Sequence, residues 1–541
     1  MAPLPPSHSP YADDPMVPVT VDDASFDAGD RRVTRLVAIG GGRGGVGMSL
    51  TAVNIAVYFA QVGKEVVLVD ADPTGANLHS HFGAKAARSE LDLSGDPVEK
   101  MRAALVTTNV PGLSLLPAAH DAIAPGPALR AGRKVRWLGA LMALGVDYVV
   151  IDVGAGHGDG PVDVMLAADV PIAVTVPEPP AVEATYRFLR AMFRRRLRRV
   201  LQRDKMRFTL LNRSMATLGA LPSPLDLVHV LARTDRSLAE LAWAQARGIR
   251  VQLVVNQTRV RPDAELGAWM SGVAARHYGI ALDELGHIEH DDTVWLTVRH
   301  NKPLLVDSPT SKSARNVERI ARRVLALTMS KLPESTSPPP MPLAEPTLYM
   351  VLGVSRSATD EEVRRAYKRH REIYATGGLA MVSVLDGEPL LAAQRKLDEA
   401  YDTLLDPVRR RAYDLSTFAE PEPQALAEAT ERPALVAEQL MLQHELQREI
   451  GPDTEFSGGL LRKVRESMGL ELADISATTK IARSHLQALE DERFDDLPAM
   501  VYARGFLVEF AKQLRLDPAQ VQKTYLRRLR EDRAARGKEA V

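Results

Sequence analysis

From about residue 32 to residue 331, short apolar runs alternate with longer amphipathic segments. The runs VTRLVAI, KEVVLVDAD and VDYVVIDVG are rich in β-branched residues, and the last two end near acidic positions. Between the first two, SLTAVNIAVYFAQVG has apolar residues at helical spacing and stops at Gly63. Apolar strands separated by helices are typical of a mostly parallel sheet covered on both faces, so we predict a three-layer α/β domain.

The rest of the chain has the pattern of helices, interrupted by proline-rich stretches such as KLPESTSPPPMPLAEP. We therefore predict two small all-α domains after the α/β domain. The predicted divisions are a tail at 1–31, the α/β domain at 32–330, a proline-rich linker at 331–346, a helical module at 347–415, a second linker at 416–456, a helical module at 457–520 and a basic tail at 521–541.

Composition limits the kind of protein. A chain of 541 residues is too long for one domain, and its 68 basic and 69 acidic residues create no global field toward nucleic acid or membrane. It contains no cysteine, which excludes disulfides, thiolate nucleophiles and cysteine-bound zinc and fits a reducing cytoplasm. Residues 1–30 hold six aspartates and no lysine or arginine, so we expect a disordered acidic tail rather than a signal peptide. We expect no transmembrane segment either, because no apolar run reaches the ~18–20 residues of a membrane span.

The stretch GGRGGVGMSL, Gly41–Leu50, has the glycine spacing of a phosphate-binding loop between a strand and a helix. Loops of the common kind end in Gly-Lys-Ser/Thr, and here Ser49 is present while Met48 occupies the lysine position. The backbone amides of Gly44–Met48 are expected to form an anion nest. Asp70 and Asp152 end two strands, and ligands of open α/β sheets bind at the carboxyl ends of strands.

The segment GGRGGVGMSLTAVNIAVYFAQVGKEVVLVDADPTGANLHSHFG resembles the MinD/ParA/FlhG family of deviant Walker A ATPases, over about residues 33–330. The resemblance implies a P-loop NTPase fold that binds ATP and Mg²⁺ and forms a nucleotide-dependent homodimer. It implies a cytoplasmic protein that is polar or peripheral to the inner membrane. The implied nucleotide contacts come from Gly42, Arg43, Gly44, Gly45, Val46, Gly47, Met48, Ser49, Leu50 and Asn256.

The same resemblance assigns individual roles. Asp152 corresponds to the Walker B aspartate, and Asp72 corresponds to the residue that orients the attacking water. We predict that Ser49, Asp70 and Asp152 hold Mg²⁺, partly through water. Arg43 stands where the family has the lysine that reaches across the dimer. The segment HIEHDDTVWLTVRHNKPL resembles the late loop that closes over the base, and its His and Asp spacing matches no helix-borne zinc motif.

The methionine at position 48 changes the expected chemistry. Losing one charge-assisted contact costs about 1.5–3 kcal/mol, so nucleotide affinity should be weakened without vanishing. Phosphoryl transfer depends on positioned positive charge, and deleting one such donor costs about 10²–10³ in rate. We favour nucleotide binding with weak or no hydrolysis. An empty scaffold and an active ATPase switch remain the alternatives.

The segments TLYMVLGVSRSATDEEVRRAYKRHREIY and LDEAYDTLLDPVRRRAYD resemble a J domain over about residues 347–414. Thr359 and Glu362 are spaced as a capping box. J domains stimulate their DnaK-type partners through a His-Pro-Asp motif, and aligning outward from Tyr374 places Ala375–Gly377 at those positions. A co-chaperone activity is therefore not expected, although the basic second helix remains available to an acidic partner.

The segment FDDLPAMVYARGFL within residues 457–520 resembles the N-terminal helix-turn-helix of the cytoskeletal protein RodZ. The helix that would read DNA starts near Ala482 and carries Arg483 and His485. Five acidic residues follow and oppose the phosphate field that dominates DNA affinity: Glu490, Asp491, Glu492, Asp495 and Asp496. We therefore predict protein partners for this module and for the J-like module, with DNA as the disfavoured alternative.

Together these features predict a cytoplasmic, nucleotide-responsive scaffold or spatial regulator resembling MinD and FlhG. It would help to position a polar, cytoskeletal or motility assembly and would recruit partners through its helical modules. The competing hypotheses are an active MinD/ParA-type ATPase switch and a DNA-binding regulator that acts through the C-terminal helix-turn-helix.

Overall fold

The computed structural model describes residues 33–72, 75, 77–85, 94–118, 131–219, 221–329, 341–342, 345–418, 446, 450, 454–498 and 500–539. The predicted tail at 1–31 and most of the two predicted linkers lie outside these residues. The described chain forms two compact units, and the boundary between them falls in the second linker. The first unit contains the α/β domain and the helical module that follows it, and the second contains the C-terminal helices.

Eight strands form one sheet in the first unit, in the order β3-β4-β2-β5-β1-β6-β7-β8. All neighbouring pairs are parallel except β3 and β4. The strands are β1 (Arg35–Gly41), β2 (Val66–Asp70), β3 (Val106–Thr107), β4 (Leu113–Leu116), β5 (Tyr148–Ala155), β6 (Val170–Thr175), β7 (Arg250–Thr258) and β8 (Ala281–Glu289). The central strands are buried along almost their whole length, which explains their apolar sequence, and the predicted parallel α/β fold is confirmed.

Among the described residues, twelve helices connect and cover these strands. They are α1 (Met48–Gln61), α2 (Pro97–Ala104), α3 (Ala131–Met142), α4 (Asp159–Ala167), α5 (Pro179–Leu201), α6 (Lys205–Leu218), α7 (Pro224–Ala232), α8 (Arg236–Arg247), α9 (Arg261–Tyr278), α10 (Thr293–Arg299), α11 (Leu304–Asp307) and α12 (Lys312–Met329). A short 3₁₀ helix, Leu78–Phe82, follows β2. Among the described residues, no helix combines the length and apolar character that a membrane crossing requires.

Helix α5 is the long basic helix of the first unit. Its apolar side is buried, including Tyr186 and Phe188. Its arginines bond within the domain: the Arg195 guanidinium donates to both carboxylate oxygens of Asp163 at 2.7 Å, and Arg196 donates to the carbonyl of Gly248 at 2.7 Å. These arginines of α5 therefore stabilise the packing of the domain.

The helical module of the first unit comprises α13 (Leu348–Leu352), α14 (Asp360–Ile373), a 3₁₀ turn at Leu379–Met381, α15 (Gly387–Leu405) and α16 (Pro407–Thr417). Helix α14 begins with the predicted capping box, in which the Glu362 amide donates to the Thr359 hydroxyl at 3.3 Å and the Thr359 amide donates to the Glu362 carboxylate at 2.7 Å. The apolar core of the module is continuous with that of the α/β domain, so the two pack as one body.

The second unit contains α17 (Gly458–Ser467), α18 (Leu472–Thr479), α19 (Arg483–Glu490), a 3₁₀ turn at Phe494–Asp496, α20 (Met500–Gln513) and α21 (Pro518–Glu539). The expected boundary between module and basic tail at residue 520 falls inside α21. Val521 and Tyr525 of this helix are fully buried in the core of the unit, and the Tyr525 hydroxyl donates to the Leu489 carbonyl at 2.6 Å. The first half of α21 thus belongs to the packed domain.

A buried ion pair crosses this unit. The Arg465 guanidinium donates to both oxygens of Glu490, at 2.6 and 3.0 Å, and the two side chains are 8% and 0% exposed. Arg462 also pairs with Glu490 and with Asp491, while Arg528 pairs with Glu492. The acidic residues expected to repel DNA are therefore largely neutralised by arginines of the same unit.

The Arg465–Glu490 pair generates a stability prediction. Replacing Glu490 by glutamine leaves a buried guanidinium without its counter-charge, so we expect Glu490→Gln to lower the free energy of unfolding of the second unit by about 3 kcal/mol. Hydrogen exchange of α19 in the full chain measures this loss, because core amides exchange through the opening of the whole unit.

Glu509→Gln is the matched control. Glu509 pairs with Lys512 at 2.7 Å, but both side chains are about half exposed. Exposed pairs contribute less than about 1 kcal/mol. Equal effects of the two substitutions would show that the buried pair has no special role in stability.

Candidate functional site

The glycine-rich loop joins β1, which ends at Gly41, to α1, which begins at Met48. Gly45 and Gly47 have φ angles of 81° and 94°, in the left-handed region that glycine adopts without strain. Gly44 and Gly45 are exposed to solvent. The loop therefore presents backbone amides at the N-terminus of a buried helix, which is the geometry of an anion nest.

Two glycines of the loop are required by close packing. A Cβ atom on Gly42 would lie 2.0 Å from the Ala184 carbonyl oxygen of α5, and one on Gly47 would lie 2.2 Å from the Asn256 amide nitrogen. No side chain fits at either position. The loop thus rests on α5 at one point and on the end of β7 at another.

The Met48 side chain is directed beneath the loop. It is only 6% exposed, and its sulfur lies 3.2 Å from the position that a Cβ on Gly41 would occupy. The loop's own cation is Arg43, whose Nη1 lies 3.1 Å from Oε2 of Glu178, with both side chains about half exposed. Position 48 therefore contributes apolar packing, while the nearby positive charge is held by a glutamate that precedes α5.

Two buried carboxylates lie side by side at the carboxyl end of the sheet. Asp70 of β2 is the register partner of Asp152 of β5, and they are 6% and 1% exposed. Asp70 accepts the amide of Leu78 at 3.1 Å, while Asp152 accepts the amide of Gly154 at 3.1 Å and a hydrogen bond from the Ser49 hydroxyl. The parallel register thus brings Ser49 and both predicted magnesium residues together.

Burial raises the pKa of Asp70 to about 7, and the neighbouring charge of Asp152 adds to the effect. Burial likewise raises the pKa of Asp152 to about 6, against the hydrogen bonds from Ser49 and Gly154. Two carboxylates that resist ionisation for these reasons are a favourable environment for a divalent cation. Among the described residues, no three acidic or histidine side chains form a metal site by themselves. Magnesium here would therefore need phosphate and water ligands besides Ser49.

Asp72, the predicted water-orienting residue, follows β2 and leans against β5. A Cβ on Gly154 would lie 2.4 Å from the Asp72 carboxyl carbon, and Gly154 has a φ of 69°. The backbone amide of Asp72 donates to the Asp70 carboxylate at 3.4 Å. The structure therefore places Asp72 beside both magnesium candidates and leaves its catalytic role a prediction.

Asn256 contacts the loop itself. Its buried side-chain amide donates to the Val46 carbonyl at 2.8 Å and accepts the backbone amide of Gln257 at 2.9 Å. Leu50 is half-buried on the first turn of α1, and its carbonyl accepts from Asn54 at 2.8 Å. In this conformation Asn256 holds the phosphate loop through Val46. The contact of Asn256 with the adenine base of a nucleotide remains a prediction.

The segment after β8 forms a capped turn. Asp291 accepts the amide and hydroxyl of Thr293 at 3.0 and 2.7 Å, and it accepts the amide of Ser313 at 3.4 Å. These bonds commit Asp291 to backbone capping. The side chain of Trp295 on the following helix α10 is 60% exposed.

Two residues of the site were missed by sequence reasoning. Glu178 forms the ion pair with Arg43, and its sequence signal is the Pro179-Pro180 pair that starts a helix directly after it. Gly154 accommodates Asp72, and its signal is a glycine two positions after Asp152, which the sequence placed at the end of a strand, although β5 continues to Ala155. All other predicted site residues lie in or around the loop.

Comparison with known proteins agrees with this geometry. A family model described as the NUBPL iron-transfer P-loop NTPase matches residues 32–201, and a helix-turn-helix domain model matches residues 460–521. The chain is 24% identical over 299 residues to the antiactivator FleN of Pseudomonas aeruginosa, covering 55% of this chain and 88% of FleN.

Two further relatives match the N-terminal part of the chain over shorter stretches. The chromosome-partitioning ATPase Soj of Thermus thermophilus is 38% identical over 123 residues, which are 23% of this chain and 47% of Soj. The flagellum site-determining protein YlxH of Helicobacter pylori is 34% identical over 159 residues, which are 28% of this chain and 52% of YlxH. The chain therefore spans about half the length of these two relatives.

The sheet, the glycine-rich loop and the carboxylates at its edge define a P-loop NTPase. Within that class, the N-terminal region is similar to proteins of the ParA, MinD and FlhG family, and it is followed by a C-terminal helix-turn-helix domain. The predicted P-loop resemblance and the predicted helix-turn-helix are confirmed, while the specific likeness of the latter to RodZ remains a prediction. The J-domain resemblance of residues 347–414 remains a prediction.

The buried carboxylates generate a pH prediction. Asp152 has a folded pKa of about 6 against an ordinary value of 3.8, so the folded state binds a proton that the unfolded state releases between these values. Its contribution to stability therefore falls as pH rises from about 4 to about 6, and the cost of the buried charge is full above that range. We expect Asp152→Asn to stabilise the nucleotide-free protein at pH 8 and to have little effect near pH 4.

Thermal unfolding followed by tryptophan fluorescence measures this gain, because all four tryptophans lie within residues 32–330. The midpoint should rise by about 2–4 °C for each kcal/mol relieved. Asp235→Asn is the control and should lower the unfolding midpoint at pH 8. The reason is that hydrogen bonds from Ser237 and Leu238 lower the pKa of Asp235, so its charged form stabilises the folded state. A fall in the Asp152→Asn midpoint at pH 8 would contradict the prediction.

Proposed function

We propose that this chain is a nucleotide-responsive spatial regulator resembling MinD and FlhG, which holds ATP with Mg²⁺ and hydrolyses it slowly or not at all. The observation that carries the proposal is the combination of an intact anion nest with a buried methionine at the lysine position. Gly45 and Gly47 keep the left-handed geometry of the nest, whereas Met48 packs into the core. Binding and catalysis are thereby separated.

The chain's own residues divide the work of binding. The amides of Gly44 and Gly45 are open to phosphate oxygens, and the Ser49 hydroxyl lies at the edge of the carboxylate pair, where its bond to Asp152 can give way to a cation. Magnesium, when bound, would neutralise phosphate charge and the two buried carboxylates together. Burial of Asp70 and Asp152 therefore favours binding of a metal–nucleotide complex over free nucleotide.

Hydrolysis requires more than the site offers. Asp72 is placed to orient a water molecule, but the charge that develops on the transferred phosphoryl group needs a positioned cation. Arg43 is the cation of the loop, and it is turned toward Glu178 at 3.1 Å. Reaching a phosphate would require Arg43 to leave that pair, as a nucleotide-dependent dimer with a second copy would demand.

The regulatory part of the proposal rests on the relatives. FleN is an antiactivator and YlxH is a flagellum site-determining protein, and the alignment covers most of FleN. We infer a role in positioning a polar or motility assembly from the cytoplasm or the periphery of the inner membrane. Iron–sulfur transfer, suggested by the name of the matching family model, is disfavoured because this chain has no cysteine to ligate a cluster.

For the C-terminal helix-turn-helix we propose a protein partner. The structure changes the reason given from sequence, because Glu490, Asp491 and Glu492 are paired with arginines and create little free negative field. The same pairing consumes Arg462, Arg465 and Arg528. These three cations are therefore not available to a DNA backbone, whose neutralisation dominates DNA affinity.

Restoring the cation tests the proposal. We expect Met48→Lys to tighten ATP binding in the presence of Mg²⁺ by about ten- to a hundredfold, since a charge-assisted contact contributes about 1.5–3 kcal/mol. Phosphate release should rise by about 10²–10³ over the wild-type chain. Isothermal titration calorimetry and a phosphate-release assay measure the two effects separately.

Met48→Leu is the matched control, because it keeps the apolar packing and adds no charge. It should leave both affinity and turnover near the wild-type values. Brisk magnesium-dependent turnover by the wild-type chain would favour the active ATPase switch instead. A wild-type chain and a Met48→Lys variant that both fail to bind ATP would favour the empty scaffold.

The DNA alternative has its own test. We expect the full chain to show no saturable binding to a labelled random duplex at about 50 mM salt, where phosphate contacts would be strong. Fluorescence anisotropy across a salt series measures this. Tight binding that weakens steeply with salt, and that is lost in Arg483→Ala, would establish DNA as the partner and contradict the protein-binding proposal.

A further inference from the structure

We propose that the helical module of the first unit is a resident partner of the P-loop domain, docked through the loop between α14 and α15 and coupled to the nucleotide site through α5. We call residues 374–382 the anchor loop. The docking itself is independent of the function proposed above, whereas the coupling to nucleotide rests on it. Three sets of contacts and the pattern of burial along the anchor loop support the proposal.

The first contact joins α5 to the anchor loop. The Tyr186 hydroxyl donates to the Ala380 carbonyl at 2.7 Å, and both residues are almost fully buried. The Tyr186 ring meets the Tyr278 ring of α9 edge-on, with centroids 5.6 Å apart. A buried hydroxyl of this kind needs its acceptor, because an unpaired one would cost about 1–3 kcal/mol. Tyr186 is therefore committed to the docked position of the loop.

The second contact joins α9 to the other end of the anchor loop. The Tyr374 hydroxyl lies 3.0 Å from Nε2 of His277 and accepts from the Arg276 guanidinium at 3.3 Å. Arg276 also donates to the Met350 carbonyl in α13 at 2.9 Å. The end of α9 thus holds two separate parts of the module.

The third observation concerns the tip of the anchor loop. Ala375, Thr376 and Gly377, which stand where the J-domain resemblance places His-Pro-Asp, are exposed, while Tyr374 on one side and Ala380 on the other are buried against the P-loop domain. The P-loop domain is thus already the partner of this loop.

The last set of contacts links α5 to the phosphate loop. The backbone of Gly42 packs on the Ala184 carbonyl, and Arg43 pairs with Glu178 immediately before the helix. Ala184 lies only two residues before Tyr186. One rigid helix therefore touches the phosphate loop and the anchor loop within a single turn.

Coupling follows from this arrangement. A packed helix moves as a unit, so a shift of the phosphate loop on nucleotide binding must be accommodated at the anchor loop or resisted by it. Thermodynamic linkage makes the effect reciprocal: if docking favours nucleotide binding, nucleotide strengthens docking by the same factor. The module would then present its exposed basic helix α14 to a partner in a nucleotide-dependent way.

Tyr374→Phe in the full-length chain tests both parts. It removes the hydroxyl that bridges to α9, and we expect faster hydrogen exchange at residues 374–382 and at the end of α9 in nucleotide-free protein. We also expect ATP affinity to fall by about two- to tenfold, the range for one net hydrogen bond. In the wild-type chain, Mg²⁺ and ATP should slow exchange of the anchor loop. Tyr186→Phe provides a second variant at the α5 contact.

Tyr367→Phe is the matched control. Tyr367 lies on α14, which leads into the anchor loop, but its hydroxyl donates to Asp398 at 2.8 Å inside the module. It should leave anchor-loop exchange and ATP affinity unchanged. Unchanged anchor-loop exchange in both Tyr374→Phe and Tyr186→Phe would overturn the docking.

The coupling alone would be overturned if ATP binds clearly but its affinity is the same in Tyr374→Phe, and if ATP does not change anchor-loop exchange. Absence of ATP binding in every variant would overturn the coupling together with the nucleotide proposal. The exchange of nucleotide-free protein would still decide whether the anchor loop is docked as proposed.

Discussion

Two carboxylates buried side by side under a glycine-rich loop are the constraint on which the site depends. The parallel register of β2 and β5 places Asp70 opposite Asp152, and burial holds the pKa of each far above its ordinary value. Such a pair costs stability in an empty site and is relieved by a cation. The buried pair therefore favours binding of a metal ion together with phosphate, even though position 48 supplies no charge.

In the function proposed above, the missing charge separates nucleotide binding from hydrolysis, two properties that usually occur together. Phosphate affinity comes largely from backbone amides and the helix N-terminus, and the left-handed Gly45 and Gly47 preserve these. Transition-state stabilisation depends on a cation in a defined place, and the Met48 side chain is packed in the core instead. A protein of this kind would report nucleotide by occupancy rather than by turnover, which suits a scaffold.

Helix α5 connects the phosphate loop to the helical module of the first unit. It supports the phosphate loop at Ala184, anchors Arg43 through Glu178 and holds the helical module through Tyr186. The C-terminal unit has a different organisation, in which the ion pair of Arg465 and Glu490 lies inside the domain. In α5 and around Glu490, charge is used mainly for internal structure, so these two charged segments of the sequence are a poor guide to partners.

The sequence alone determined the local features of this protein. Apolar runs and helical spacing predicted the parallel α/β domain and the helices after it, the glycine spacing located the loop, and a single letter at position 48 showed that the lysine is absent. The Thr359 and Glu362 capping box was also predicted, because its residues are three positions apart. Periodicity and short motifs encode such features directly.

Only the tertiary structure decided how these parts meet. Arg43 pairs with a glutamate 135 residues away, Asn256 braces a carbonyl 210 residues away, and Tyr186 holds a carbonyl 194 residues away. The boundary expected at residue 520 falls inside α21 for the same reason, since Tyr525 is buried by contacts with α19. Packing between distant segments sets these contacts, and no local pattern in the chain records which segments will become neighbours.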